Sequence, residues 1–249
     1  MDMCRFLFPS IALALMLTAC SMTATARNQA SYHFQMGQSH LAENNITGAL
    51  VEFTQAESLS PDDPELLNYL GLTYLRKGKF EIAEQKFRRA LALKPTYTDA
   101  RNNLGLVFLE TKRWDEAIYQ FKLVTEDIFY LDQAAAAINL AISYSGKGEF
   151  QQALAILRPL VATYPRDPRA RLNLGKVYSS LDKLDLAVTE YRKAIELYPD
   201  YAAAHYNLAL VYLKQKDNSA ARASFREVVR ISPDAEIGQL SREYLDLTK

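Results

Sequence analysis

A small residue returns along this chain at a nearly fixed interval. Gly37, Gly71, Gly105, Ala141, Gly175 and Ala209 are separated by 34, 34, 36, 34 and 34 residues. Three places further on stands an aromatic or a histidine: His40, Tyr74, Phe108, Tyr144, Tyr178 and Tyr212. A second small residue follows at Ala49, Ala83, Ala117, Ala153, Ala187 and Ala221, then a large one at Phe53, Phe87, Phe121, Leu157, Tyr191 and Phe225. A proline closes most periods, at Pro61, Pro95, Pro165, Pro199 and Pro233. A period of this length held in phase through six copies constrains the fold more than any other feature. Each copy must bury its apolar face against its neighbours, because one alone has too little core.

The pattern resembles the tetratricopeptide repeat over about residues 30–235. The resemblance implies an all-α superhelical solenoid of six helix-turn-helix repeats, at 30–63, 64–97, 98–131, 134–167, 168–201 and 202–235. Gly or Ala at the eighth and twentieth places lets helices A and B approach closely, and the aromatics fill the space between successive pairs. Proline stops helix B, because it lacks the N–H that a helix interior needs. The turns between A and B are polar, each with an apolar plug such as Ile46, Phe80, Trp114, Phe150 or Leu184. Trp114 reads as core rather than as part of a ligand cage. In residues 236–249, Ile237, Leu240, Tyr244 and Leu247 share one helical face, which predicts a C-terminal capping helix. Two irregularities stand out. The third junction, residues 127–133, lacks the proline and carries two extra residues, projecting Phe129, Tyr130 and Leu131 outward or into the gap. Pro159 falls inside a helix B and is expected to kink it.

The N-terminus is of a different kind. Phe6 to Thr18 is an apolar run too short to span a bilayer but of signal-peptide length. Leu17-Thr18-Ala19-Cys20 follows and resembles the lipobox of bacterial lipoproteins. That resemblance implies a signal peptide at 1–19, Cys20 as the lipid-bearing first residue after cleavage, and a small polar tether at 20–29. Ser21 rather than Asp implies sorting to the outer membrane, with the protein lipid-anchored on its periplasmic face in a Gram-negative-type bacterium. Either Met1 or Met3 could be the start.

Little catalytic chemistry is on offer. Cys4 and Cys20 are the two cysteines, so the body has neither a disulfide scaffold nor a cysteine zinc site. There is no HExxH, GxSxG, GxxxxGK[ST] or GxGxxG. His33, His40 and His205 occupy packing places. Asp62, Asp63 and Asp167 lie before helices, where carboxylates complement the N-terminal partial charge. Asn45-Ile46-Thr47 matches a glycosylation sequon but sits in a helix turn. Basic and acidic side chains number 29 each, which argues against nucleic acid. The chain reads as no enzyme, with no metal, no cofactor and no small-molecule substrate.

Function is therefore expected in the groove lined by helices A, at the second, fifth, ninth, twelfth and thirteenth places. The candidate partner-binding residues are Phe34, Asn68, Leu72, Leu75, Asn102, Leu106, Leu109, Ile138, Ile142, Leu172 and Tyr206. Leu72, Leu75, Leu106 and Leu109 would form an apolar strip beside the amides of Asn68 and Asn102, suited to an amphipathic helix or extended peptide. The same leucines could instead pack between adjacent A helices. Chaperone-docking repeats that grip a C-terminal carboxylate would place Lys at the fifth place and Asn at the ninth; no repeat here does.

The lipobox, the six repeats and the junction Glu126-Asp127-Ile128-Phe129-Tyr130 together resemble the type IV pilus biogenesis lipoproteins (the PilF/PilW family). The resemblance implies a pilotin: a scaffold that helps secretin subunits reach the outer membrane and assemble. Its partner would be a secretin subunit or its peptide, and its membrane contact the N-terminal lipid. The alternative is a lipoprotein adaptor for another envelope complex, in outer-membrane protein insertion, cytochrome assembly or cell-wall synthesis.

Overall fold

The computed structural model describes the backbone of residues 7–247 and side chains from residue 25 to residue 247. Among the described residues the chain forms thirteen helices and no strand. The A helices are α1 (Leu7–Ala42), α3 (Pro64–Arg76), α5 (Thr98–Glu110), α7 (Gln133–Gly146), α9 (Pro168–Ser180) and α11 (Ala202–Lys214). The B helices are α2 (Ile46–Leu59), α4 (Phe80–Leu93), α6 (Trp114–Glu126), α8 (Phe150–Thr163), α10 (Leu184–Leu197) and α12 (Asn218–Ile231). α13 (Glu236–Leu247) ends the chain. The chain divides after Thr111 into two compact units, one holding α1 to α5 and the other α6 to α13.

In the first unit, α1 pairs with α2 and α3 with α4, while α3 also lies against α5. The glycines explain how closely the pairs sit. A Cβ on Gly37 would lie 2.5 Å from the Phe53 ring, and one on Gly71 would lie 2.5 Å from Phe87. Both rings are fully buried. Any larger residue at either glycine would displace a ring that has nowhere to go. Helix α3 starts where the Asp63 carboxylate accepts the amides of Glu65 and Leu66, with Pro64 preset for the first turn. The turn leaving it is released by Gly78 at φ +68°. The Arg88 guanidinium lies 5.7 Å from the centre of the Phe108 ring.

The second unit uses the same devices. Asp132 and Asp167 cap α7 and α9 through their side chains. Burial alone would raise the pKa of Asp167. The Arg169 guanidinium and the amides of Arg169 and Ala170 outweigh it and hold the carboxyl below its ordinary value. A Cβ on Gly175 would meet the buried Tyr191 ring at 2.6 Å. A cation of one B helix covers the ring of the next A helix three times over: Lys122 on Tyr144, Arg158 on Tyr178 and Arg192 on Tyr212, at 5.8, 5.8 and 6.0 Å. Arg158 and Arg192 also donate to the hydroxyls of their tyrosines. Trp114 is half-buried with its ring against Gly146 of α7. α8 continues unbroken through Pro159. Pro159 and Ala155 are both exposed, so the helical hydrogen bond that Pro159 cannot donate is lost on the solvent side of the helix. α13 stacks Tyr244 on Phe225 at 4.9 Å and covers α12.

Two segments differ from the sequence reading or extend it. Residues 20–29, whose composition reads as a tether, have helical backbone continuous with α1. No Gly or Pro interrupts the chain between Cys20 and Met36, so nothing there ends the helix. The extra residues of the 127–133 junction form a closed turn outside the helices. Its bonds are Phe129 N–H to the Asp127 carboxylate (3.0 Å), Tyr130 N–H to the Asp127 carbonyl (3.0 Å) and the Gln133 side chain to that same carbonyl. Tyr130 is half-buried, whereas Ile128, Phe129 and Leu131 are 81%, 85% and 101% exposed. The side chain of Cys20 and the apolar run before it lie outside the residues described in side-chain detail. Among the described residues no helix is long and apolar enough to cross a membrane.

Candidate functional site

Each unit presents an A-helix face, and the two faces differ in chemistry. In the first unit α1, α3 and α5 lie side by side. Phe34 is half-buried, its ring 5.8 Å from Phe53 and 5.2 Å from Tyr69. Leu41 belongs to the core, and Leu72 packs against the same cluster with part of its surface at water. Leu75, Leu106 and Leu109 are likewise partly buried. These four leucines are thus shared between helix packing and the accessible face.

The two amides in this unit part company. Asn68 is 6% exposed and spent internally: its Nδ2 donates to the Tyr97 hydroxyl at 3.3 Å, and its Oδ1 accepts from Asn103 at 3.0 Å. It is therefore a link between α3 and α5 and not a free donor. Asn102 is half-buried, and its Oδ1 is buried without a hydrogen-bond partner among the described residues. Buried acceptors are rarely left so. That oxygen is shut off from water, so it stands as an unpaired acceptor inside the packing and is closed to an N–H from outside unless the side chain turns.

In the second unit α7, α9 and α11 pack side by side, with α8 and α10 behind them. Gly175 and Tyr178 point back at α10 and α8. Half a helical turn away Lys176 on α9 is exposed, and Asn139 and Ile142 on α7 and Asn207 and Leu210 on α11 keep partial exposure in the same register, while Asn173 on α9 is buried. Ile138 and Leu172, expected on the binding face, are each 4% exposed and fill the contacts between helices. Ile142 and Tyr206 keep partial exposure. Tyr206 leans on Phe225 at 5.9 Å, and its pKa is raised by burial and by the nearby Tyr244 and Glu236.

Lys176 has water access, yet burial lowers its pKa and no other group offsets that. Asn173 and Asn207 donate Nδ2 to carbonyls four residues back, at 2.8 and 2.7 Å, which leaves their Oδ1 atoms as acceptors. Asn139, Asn173 and Asn207 were not among the residues expected to bind, whereas Lys176 stands at the ninth place of its repeat, which was expected to face the groove. The asparagines left a signal in the sequence, recurring at the sixth place of four successive repeats as Asn103, Asn139, Asn173 and Asn207.

The remaining polar groups are structural. His33 Nδ1 lies 2.7 Å from Glu52, His40 is within 3.3 Å of the Asn45 amide, and His205 Nε2 is 2.9 Å from the Pro199 carbonyl. Asp62 pairs with Arg89 at 2.6 Å. Among the described residues no group of three His, Cys, Asp or Glu could hold a metal ion. A cavity of about 410 Å³ lies behind the second face, lined by Arg192, Ile195, His205, Leu208 and Glu227 among others, and does not open on the asparagine row.

Residues 28–98, 70–128, 138–200 and 172–236 match the family model for the tetratricopeptide repeat. The chain belongs to the tetratricopeptide-repeat family. It is thereby a scaffold for protein interaction, and proteins of this family bind protein or peptide partners and are generally not catalysts. No curated protein matches it in sequence. Among solved structures it is similar to PilW, a type IV pilus biogenesis factor, at TM-score 0.76 and 20% identity, covering 85% of this chain and 97% of that one. It is similar to PilF of Pseudomonas aeruginosa at TM-score 0.69 and 18% identity, covering 89% and 98%. It is also similar to YrrB, a repeat protein with an unusual peptide-binding site, at TM-score 0.52 and 20% identity, covering 77% and 97%. Identities this low speak for the fold alone.

Proposed function

We propose that this tetratricopeptide-repeat chain is a lipid-anchored pilotin of the bacterial outer membrane, which carries a type IV pilus secretin subunit to its place of assembly. The observation that carries the reading is the combination of Leu17-Thr18-Ala19-Cys20 at the head of the chain with a repeat array matching PilW and PilF over nearly their whole length. Cys20 would bear diacylglycerol and a further acyl chain, and more than one chain is what stable anchoring needs. The A-helix faces would hold an amphipathic segment of the client, shielding it until delivery. Leu72, Leu75, Leu106 and Leu109 suit its apolar side. No reaction is required.

The test is a pull-down of the detergent-solubilised protein from its own cell envelope, with bound proteins identified by mass spectrometry. Recovery of a secretin supports the pilotin. Recovery of insertion, cytochrome or cell-wall machinery without a secretin replaces it with another envelope adaptor. Cys20→Ala should release the protein from the membrane fraction and abolish labelling by radioactive palmitate. Leu72→Glu with Leu106→Glu should abolish client capture while helicity by circular dichroism stays unchanged; capture that survives both changes removes the leucine strip from the binding site.

A further inference from the structure

The turn at 127–133 puts three large apolar side chains into water within four residues: Ile128, Phe129 and Leu131, at 81%, 85% and 101% exposure. Single exposed leucines are ordinary on a protein surface, but a cluster of this kind marks a contact. We infer that this turn is a membrane contact, its three apolar side chains entering the acyl layer of a bilayer while the neighbouring turns of the same edge lie at headgroup level. This rests on the reading of Cys20 as a lipid anchor, which keeps a bilayer within reach, and adds a second point of attachment.

Shape favours lipid over protein. Exposures this high mean that the three side chains hardly shield one another. They stand apart on a protruding turn instead of merging into a flat patch. A folded partner would need a separate pocket for each, whereas acyl chains close around any shape. The backbone is also prepared to leave water. A bilayer core offers polar groups no partner, so they must be satisfied internally. Phe129 N–H already donates to the Asp127 carboxylate and Tyr130 N–H to the Asp127 carbonyl, each at 3.0 Å. The tip itself, residues 128–131, bears no charge. Of the carboxylates beside it, Asp127 is spent on the turn, and Asp132 on capping α7 and on Arg169 at 3.9 Å. Glu126 lies back in the last turn of α6.

The rest of the edge fits the boundary between lipid and water. The ion pair of Asp132 with Arg169 ties this turn to the one before α9, and α9 lies against both α7 and α11. The turns before these three helices therefore share one edge of the second unit. On it Tyr164 and Tyr198 hold the same place in successive repeats, 34 residues apart, and are 42% and 52% exposed. Arg166 is exposed on the same edge. Tyrosines, apolar in the ring and wet at the hydroxyl, and arginines, apolar in the stem, are side chains that settle among headgroups. Charge gives no preference for anionic lipid. The chain carries 29 basic and 29 acidic residues, and this edge mixes both signs. The surface that fits is a zwitterionic bilayer, gripped through its apolar layer.

The test is tryptophan fluorescence of the full chain reconstituted in vesicles of phosphatidylethanolamine and phosphatidylcholine. Bromine on the acyl chains quenches from within the bilayer, and iodide quenches from the water. Phe129→Trp is read against the parent, whose single tryptophan is Trp114, and against Tyr119→Trp, which puts the probe on an exposed position of α6. The expected result is that the emission added by Phe129→Trp shifts to the blue and is lost to bromolipid, while that added by Tyr119→Trp is lost to iodide. Ile128→Ser with Leu131→Ser in the Phe129→Trp chain should weaken partition of the turn by about a hundredfold and return the probe to iodide. These side chains are exposed, so circular dichroism of every variant should match the parent. Emission from position 129 that iodide quenches and bromolipid does not would overturn the inference. So would equal bromolipid quenching at 119 and 129. Emission from 129 that neither quencher reaches would replace lipid by a second copy of this chain, the only protein present. The anchor is judged separately, by palmitate labelling at Cys20. Labelling with position 129 in water keeps the anchor and discards the turn, and a quenched position 129 without labelling does the reverse.

Discussion

At the scale of single residues, two contacts decide how much change the hairpins tolerate. Gly175 faces Tyr191 so closely that a methyl group would sit 2.6 Å from the ring. Overpacking of this kind costs about 1–3 kcal/mol, against about 1 kcal/mol regained from the better helix propensity of alanine. Gly175→Ala should therefore lower the urea midpoint, whereas an exposed helix glycine would raise it under the same change. Glu190 is 9% exposed and is held by Arg171 at 2.8 Å and Lys193 at 3.1 Å. Arg171→Met should cost about 3 kcal/mol in chemical denaturation, because it leaves a buried carboxylate short of its partner. Adding Glu190→Leu should recover most of the loss.

At the scale of elements, the turn at 127–133 separates stability from contact. Its geometry is set by bonds from Asp127 and Gln133, not by the apolar residues it carries. Phe129→Ser with Leu131→Ser should leave thermal unfolding within about 0.5 kcal/mol of the parent. Any loss of cellular function in that variant would then come from what the turn touches outside this chain. A large drop in melting temperature would show that these side chains pack after all.

Helices of this kind were readable from the sequence because they follow from spacing. Gly71 and Gly175 announce close approach, and Asp63 and Asp167 stand where helix N-termini want a carboxylate. The binding face was less legible, because places in a repeat do not say how deep a side chain sits. Asn68 and Asn102 share the fifth place, yet Tyr97 lies within reach of one, and nothing among the described residues satisfies the Oδ1 of the other. Ile138 and Leu172 share that place too and are swallowed by their neighbours.

At the scale of the whole molecule, the tyrosines set an alkaline limit. Burial pushes the Tyr97 hydroxyl up to about 12, with the charges of Asp99 and Glu65 acting the same way. Burial also raises Tyr191 and Tyr201 above their ordinary value. The unfolded chain loses these protons near pH 10. The folded form holds them more tightly, so the stability they contribute is complete below about pH 10 and drains away as pH rises through about 12. The urea midpoint should be level on the alkaline side up to about pH 10 and then fall, and Tyr97→Phe should make the fall shallower. A midpoint that stays level to about pH 12 would show that the buried hydroxyls ionise freely.

The Phe53, Phe87 and Tyr191 rings lie under Gly37, Gly71 and Gly175 of their own hairpins, and Arg158 and Arg192 reach the tyrosine of the next A helix. A block of 34 residues thus carries one full set of contacts wherever it is cut. For the gene, this works like a reading frame one level above the codon. Duplications and deletions by whole blocks keep every glycine opposite a ring, while any other length turns exposed charges such as Arg192 toward the layer between helices. The single slip in this chain, two residues between Gly105 and Ala141, has been placed where it does no harm: in a solvent-facing turn, outside every helix, with the phase restored before α7 begins.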